Sequence, residues 1–267
     1  MRTIALYSIK GGVGKTTAAV NLADAAARSG TRVLLWDLDA QGAATYCFRI
    51  RPHVAGGVRD LVRGSDGLER HVRATDRTGI DLVPADVTLR HLDLHLDRTK
   101  KPTRRIHRLL EPLRERYDLV VLDCPPGVTL ATESVFAATD VLVVPTVPST
   151  LSRRTLTQLT DLLDELVGRL PGGDGSGHPR MPAVWPFVSM LDRRRSLHHA
   201  VVAELIEHVP ALLPTPVPTA SVVERIGVER APLAAYAPRH PATAAFDELW
   251  AEIARRLWLP PPAAATR

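Results

Sequence analysis

Residues 8–17 read Ser-Ile-Lys-Gly-Gly-Val-Gly-Lys-Thr-Thr. These types in this order suit the holding of phosphate. Gly11, Gly12 and Gly14 carry no side chains, so backbone N–H groups can close around phosphate oxygens. Lys15 offers a cation to the β- and γ-phosphates of a nucleotide, and Thr16 offers a hydroxyl to Mg2+. Ile9, Val13 and Thr17 complete the candidate binding loop. The usual pattern G-x-x-x-x-G-K-[ST] would place a glycine where this chain has Ile9, and a second lysine, Lys10, stands five residues ahead of Lys15. One phosphate cradle does not require both lysines.

Three carboxylates stand where a metal-assisted phosphate reaction would use them. Asp37 and Asp39 close the apolar run "RVLLWD" and lie two residues apart, hence on one side of a strand. Asp123 closes "YDLVVLD", the form expected of an acidic site that holds Mg2+ through water. Pro125 and Pro126 then impose a rigid turn. Asp118, at the start of that run, reads as structural.

Those residues need elements to place them. Continuous apolar runs at 3–8, 32–37, 80–85, 117–123, 140–146 and 183–189 read as strands covered on both faces, with a weaker candidate at 212–218. Helical patterns fall at 15–28, 86–97, 103–116, 130–138, 151–169, 195–208 and 241–258. Strand and helix in alternation predict a doubly wound, mostly parallel α/β sheet in a single domain over 1–259. Gly30 suits a helix stop. Residues 171–179 read as a flexible loop, and 260–267 as a disordered Pro/Ala tail.

Composition narrows the class. With 267 residues and 45% hydrophobic content the chain can bury a full core. No apolar run reaches the roughly 20 residues of a membrane span, and the N-terminus lacks a signal-peptide pattern, so a cytoplasmic protein is expected. Cys47 and Cys124 are too far apart in sequence, and too few, to suggest a disulfide framework or a zinc site. The net charge of +5 tilts toward a polyanionic partner.

"KGGVGKTT" resembles the deviant phosphate loop of the ParA/MinD group of ATPases, and the resemblance extends over nearly the whole chain. It implies ATP and Mg2+ as cofactors and an ATP-bound sandwich homodimer, in which Lys10 reaches the phosphates held by the other subunit. The segment 33–45 resembles the family's DxDPQGN stretch. By that match Asp39 positions the attacking water and Asp37 supports the Mg2+ shell together with Thr16, Asp39 and Asp123. Ala40 and Ala43 depart from that stretch. Residues 117–127 resemble its hhhhDxPP segment. Residues 189–205 and 218–253 match more loosely, and suggest Ser189, Met190 and Pro218 for the adenine pocket. The related nitrogenase iron protein carries a cysteine-held cluster, but here Cys124 lacks a partner cysteine between 48 and 123 and reads as a buried small side chain.

The resemblance implies a partition or positioning ATPase, associated with the nucleoid. It would bind double-stranded DNA without sequence preference through Arg193, Arg194, Arg195, Arg225 and Arg239, and be stimulated by a ParB-like partner. A MinD-like membrane ATPase would need a basic amphipathic terminal helix. The candidate at 242–259 carries Asp247, Glu248 and Glu252, and is expected to pack on the sheet instead. A metabolic ATP-dependent enzyme of the same superfamily would need a spare acid–base cluster, and His198 and His199 read as surface residues.

Overall fold

The computed structural model describes residues 1–64, 67–167 and 181–258. Its frame is one seven-stranded sheet: β1 (Arg2–Leu6), β2 (Val33–Asp37), β3 (Arg73–Ala74), β4 (Ile80–Val83), β5 (Leu119–Asp123), β6 (Val141–Thr146) and β7 (Ala183–Val188). The order across the sheet is β3-β4-β2-β5-β1-β6-β7. Every pairing is parallel except β3 against β4. The fold is thus doubly wound α/β. β5 lies between β1 and β2, in a register that pairs Leu6 with Asp123 and Asp37 with Asp123. The ends of these three strands form the floor of the site.

The helices are α1 (Lys15–Arg28), α2 (Ala43–Cys47), α3 (Gly57–Arg63), α4 (Leu92–Asp97), α5 (Arg105–Leu110), α6 (Leu130–Phe136), α7 (Ser152–Val167) and α8 (Ser196–His208). Three single turns follow, α9 (Ser221–Glu224), α10 (Ile226–Glu229) and α11 (Leu233–Tyr236), and then α12 (Pro241–Trp258).

Alternate strand residues feed two separate apolar layers, as the period of two requires. Leu34, Trp36, Val120 and Leu122 join the layer that holds α3 to α8. Val33, Leu35, Leu119 and Val121 join the layer that holds α1 and α12. α1 is alanine-rich on its inner face, with Ala18, Ala19, Ala23 and Ala26 buried, so α12 can approach closely. α12 fills that groove with Phe246, Leu249, Trp250, Ile253 and Leu257, a helical stripe at i, i+3, i+4, i+7 and i+11. Trp250 Nε1 donates to Ser29 Oγ at 3.0 Å, and Arg28 joins both Asp24 of α1 and Asp247 of α12. Asp118 is structural: it takes two guanidinium hydrogen bonds from Arg32, at 3.0 and 2.7 Å, which hold its pKa down at about 2.

Several expected elements differ. The 212–218 stretch is not a strand; it makes isolated bridges from Leu213 to Phe187 and from Pro218 to Leu191. Pro214, Pro216 and Pro218 have no N–H to sustain a ladder. The expected helix 103–116 is a 3-10 turn at Pro102–Arg104, α5, and another 3-10 turn at Glu111–Leu113, because Pro112 interrupts the helical bonding. The expected helix 86–97 divides into a 3-10 turn at Val87–His91, capped by Asp86, and α4. The short elements α2, α3, α9 to α11 and β3 were not foreseen. The 171–179 loop and the 260–267 tail lie outside the described residues. Among those described, no helix is long and apolar enough to cross a membrane.

Leu249 is fully buried between α1 and the sheet. Leu249→Ala is expected to cost about 2–5 kcal/mol of stability in urea unfolding. A loss below about 1 kcal/mol would mean that α12 leaves the sheet in solution.

Candidate functional site

The phosphate loop joins β1 to α1. Gly12 and Gly14 adopt φ of 71° and 91°, which disfavour any residue with a Cβ. Gly14 is the residue ahead of α1 and provides no side-chain cap, so the first-turn N–H groups face the loop without a side-chain acceptor. Such a helix start suits an anion. Space is left as well: a Cβ built on Gly11 or Gly12 would meet nothing within 4 Å. The loop is pinned from below, since Ser189 Oγ donates to the Val13 carbonyl at 3.0 Å and the Lys10 N–H donates to Ser8 Oγ at 3.2 Å.

The two lysines behave differently. Lys15 is buried and folds back to its own loop, Nζ donating to the Lys10 carbonyl at 3.5 Å. Burial lowers its pKa, opposed chiefly by the charge of Asp123 and then by Cys124 and Asp39. Lys10 is exposed on the outside of the loop.

The three carboxylates also differ in environment. Asp37 is fully buried and both its oxygens are occupied. Oδ2 accepts from the Thr45 N–H at 2.8 Å and from the Thr45 hydroxyl at 2.7 Å, and Oδ1 accepts from the Asp39 N–H at 3.2 Å. Burial nonetheless raises its pKa to about 6. Asp39 is half-buried at the rim, and its Oδ1 accepts from the Gln41 N–H at 2.9 Å. Asp123 differs from both. It is fully buried, and neither oxygen has a hydrogen-bond partner. Burial, and then the neighbouring Asp37, push its pKa well above the carboxylate range, while the nearby Thr16 hydroxyl and Lys15 pull it down.

An orphaned buried carboxylate, two acidic neighbours and one lysine make a site short of positive charge. A hard divalent cation fits it, with Asp123 and Thr16 as the holding groups and Asp39 at the rim. Among the described residues no cluster of three His, Cys, Asp or Glu side chains could cage a metal unaided. Mg2+ needs no such cage, since it keeps several waters and shares its ligands with phosphate.

Sequence reasoning missed Thr45, which fixes Asp37 and also accepts the Ala85 N–H at 2.8 Å. A hydroxyl eight residues beyond Asp37 was the available signal. It also missed Tyr7, whose hydroxyl donates to the Gly127 carbonyl at 3.0 Å and ties the proline turn to β1. On the outer flank of Gly14 and Thr17, a cavity of about 80 Å³ is lined by Phe187, Ser189, Met190, Val217, Pro218 and Phe246 among others. Met190 holds φ at 56°, a strained value for this residue, beside that cavity.

His198 is a correction: it is buried, not on the surface, and its Nδ1 accepts the Asp192 N–H at 3.1 Å. His198, Val201 and Leu205 share the inward stripe of α8. Cys124 and Cys47 are buried free thiols whose pKa values are raised chiefly by burial. Of the arginines singled out, Arg193, Arg194, Arg195 and Arg239 are exposed. Arg225 is paired with Glu229.

Removing the Asp123 charge is expected to stabilise the nucleotide-free protein while weakening its hold on Mg2+. Asp123→Asn should raise unfolding stability at pH 7 by at least about 1 kcal/mol, because an ionised buried group without partners is costly. An unchanged or lower stability would show that the oxygens are satisfied in solution.

Residues 1–170 match the family model described as an AAA domain. The chain is 32% identical over 211 residues to the chromosome partitioning protein ParA of Caulobacter vibrioides, covering 78% of this chain and 76% of that protein. It is 29% identical over 255 residues to the sporulation initiation inhibitor protein Soj of Bacillus subtilis, covering 95% and 98%. Among solved structures it resembles cobyrinic acid a,c-diamide synthase from Mycobacterium smegmatis, solved with a bound ATP analogue and magnesium. The TM-score there is 0.78 at 23% identity, over 96% of each chain. Other neighbours of this fold are likewise solved with ADP and magnesium or with ATP. The phosphate loop, the acidic strand ends and these relatives lead to one family: the chain belongs to the ParA/MinD-type P-loop ATPases.

Proposed function

We propose that this chain is a ParA-type positioning ATPase of the cytoplasm and nucleoid: ATP with Mg2+ closes it into a homodimer, the dimer holds double-stranded DNA without sequence preference, and a ParB-like partner stimulates hydrolysis. The observation that carries this reading is the buried, unpartnered Asp123 beside Lys15 and Thr16. Asp123 has no structural work among the described residues that a neutral side chain could not do better, so its charge is kept for a cation.

Each group then has a distinct task. The N–H groups of residues 11–16 and Lys15 orient the phosphates. Thr16 and Asp123 hold Mg2+, which neutralises charge on the transferred phosphoryl group. Asp37, locked by Thr45, keeps the strand end in place. Asp39 is the carboxylate free to orient a water at the rim. Lys10, exposed and outside the cradle, is placed to reach phosphates held by a second copy. The cavity beside Ser189, Met190 and Pro218 takes the base.

A membrane role through α12 is disfavoured, because its apolar stripe is buried against α1 and the sheet. A metabolic role is disfavoured by the absence, among the described residues, of a second acid–base cluster near the loop. The likeness to the diamide synthase is one of fold.

Three variants test the assignments. Lys15→Ala is expected to abolish Mg–ATP binding in calorimetry, and an unchanged affinity would remove Lys15 from the site. Asp39→Ala should bind ATP and accumulate as a dimer in size-exclusion chromatography, with turnover lowered at least about 100-fold. Turnover at the parent rate would assign the water to another group. Lys10→Ala should bind ATP but remain a monomer; ATP-dependent dimers at parent levels would overturn its role across the interface.

A further inference from the structure

The charge of the chain is concentrated in one place. Residues 87–108 hold seven lysines and arginines and two aspartates, a balance of +5 that equals the net charge of the whole chain. One of those aspartates, Asp93, is occupied: its Oδ1 accepts the Ala131 N–H at 2.7 Å.

The fold gathers these cations and adds others. Around His95 on α4 stand Arg98, His91 and, from α3, Arg59 and Arg63, all near enough that their charges lower its pKa, after the larger effect of burial. Arg105 at the start of α5 reaches under the end of α3: a Cβ on Gly64 would lie 2.2 Å from its guanidinium. Its Nε is buried and has no hydrogen-bond partner, and Arg108 stands beside it. Arg59, Arg63, Arg98, Lys100, Lys101 and Arg108 are exposed. Among the described residues no ion pair is recorded for any of them. Elsewhere arginines are regularly paired, as Arg28, Arg32, Arg49, Arg77 and Arg116 are. Asp60 and Asp97 are exposed on the same helices, and like charges in excess of such counter-charges cost free energy unless an anion relieves them.

We propose that the face built by α3, α4 and the start of α5 is a surface for the phosphate backbone of double-stranded DNA, in addition to the C-terminal arginines. This deepens the DNA reading above and rests on it. Guanidinium forks match phosphate oxygens. Neither 57–64 nor 87–108 contains Phe, Trp or Tyr, so the face has no platforms for stacking single-stranded bases. Its one large exposed apolar side chain on α4 is Leu94, too little for insertion into lipid by a helix of six residues.

The face is also connected to the nucleotide site. Asp93 holds the first turn of α6, the helix that follows the Asp123 turn. The Ile106 N–H of α5 donates to Ser134 Oγ of α6 at 3.2 Å. On the other side Thr45 joins Asp37 to Ala85, and next to it Asp86 Oδ2 accepts the Val54 N–H at 3.0 Å ahead of α3. Side-chain hydrogen bonds therefore lead from the surroundings of both acidic strand ends to the face that carries the arginines.

The test is DNA binding by the full chain with Mg–ATP, followed by interferometry on unrelated duplexes at several salt concentrations. Arg63→Gln with Arg98→Gln should lower duplex affinity by about tenfold or more and reduce the salt slope by about two. Thermal melting at the parent temperature shows that the fold is kept. If this variant binds as the parent does, while Arg193→Gln with Arg194→Gln and Arg239→Gln loses binding, the new surface is refuted and the DNA reading stands. If the parent binds no duplex even at low salt, the DNA reading itself falls. Capture of anionic phospholipid vesicles by the parent, lost in Arg63→Gln with Arg98→Gln and without any DNA binding, would replace DNA by membrane as the partner of this face.

Discussion

A buried carboxylate with no partner is the constraint around which this molecule is arranged. Asp123 ends β5, the central strand of the sheet, in register with Asp37 of β2 on one side and Leu6 of β1 on the other. It could not sit in an apolar layer as a charge without relief, and among the described residues that relief comes from the Thr16 hydroxyl and Lys15. Both come from the loop that β1 feeds into α1. The strand order, the tight loop and the start of α1 thus converge on one electrostatic deficit, which a divalent cation with a polyphosphate can fill.

Stability must come from elsewhere, and the two apolar layers supply it. The central strands β2 and β5 are buried at every position. Each face is then covered by its own set of helices, with α1 and α12 on one and α3 to α8 on the other. Because both layers are closed, the strand ends can carry unfavourable charge without losing their place. This is the usual trade between a stable body and a strained site.

The side-chain links beyond the strand ends have a common form. A short hydroxyl or carboxylate takes an N–H from the next segment: Thr45 from Ala85, Asp86 from Val54, Asp93 from Ala131, Ser134 from Ile106. Each bond is modest on its own. Together they make the helices on the α3–α5 side a continuation of the site rather than a separate surface. Arg230 lies over the Tyr46 ring of α2, with its Nε donating to the Tyr46 carbonyl at 3.1 Å, one residue from the Thr45 that bonds Asp37.

The sequence by itself determined much of this protein. The apolar runs specified the parallel sheet because strands covered on both faces need no polar alternation. The loop at 8–17 specified a phosphate cradle because glycines, Lys15 and Thr16 act locally, within one turn of chain. Asp37 and Asp123 were legible as strand ends, and Asp39 as the carboxylate two residues past the first of them. What the tertiary structure decided are the properties that depend on neighbours distant in sequence. It occupied both oxygens of Asp37, with Thr45 and the Asp39 N–H, and left those of Asp123 without a hydrogen-bond partner, although the two strand ends read alike. It buried His198, which a paired His198–His199 reading had placed outside. It broke the 103–116 helix at Pro112 and turned 212–218 into single bridges, where backbone hydrogen bonding overruled the apolar pattern. And it brought α3 beside α4 and α5, so that arginines some forty residues apart became one charged face, which no periodicity in the chain announces.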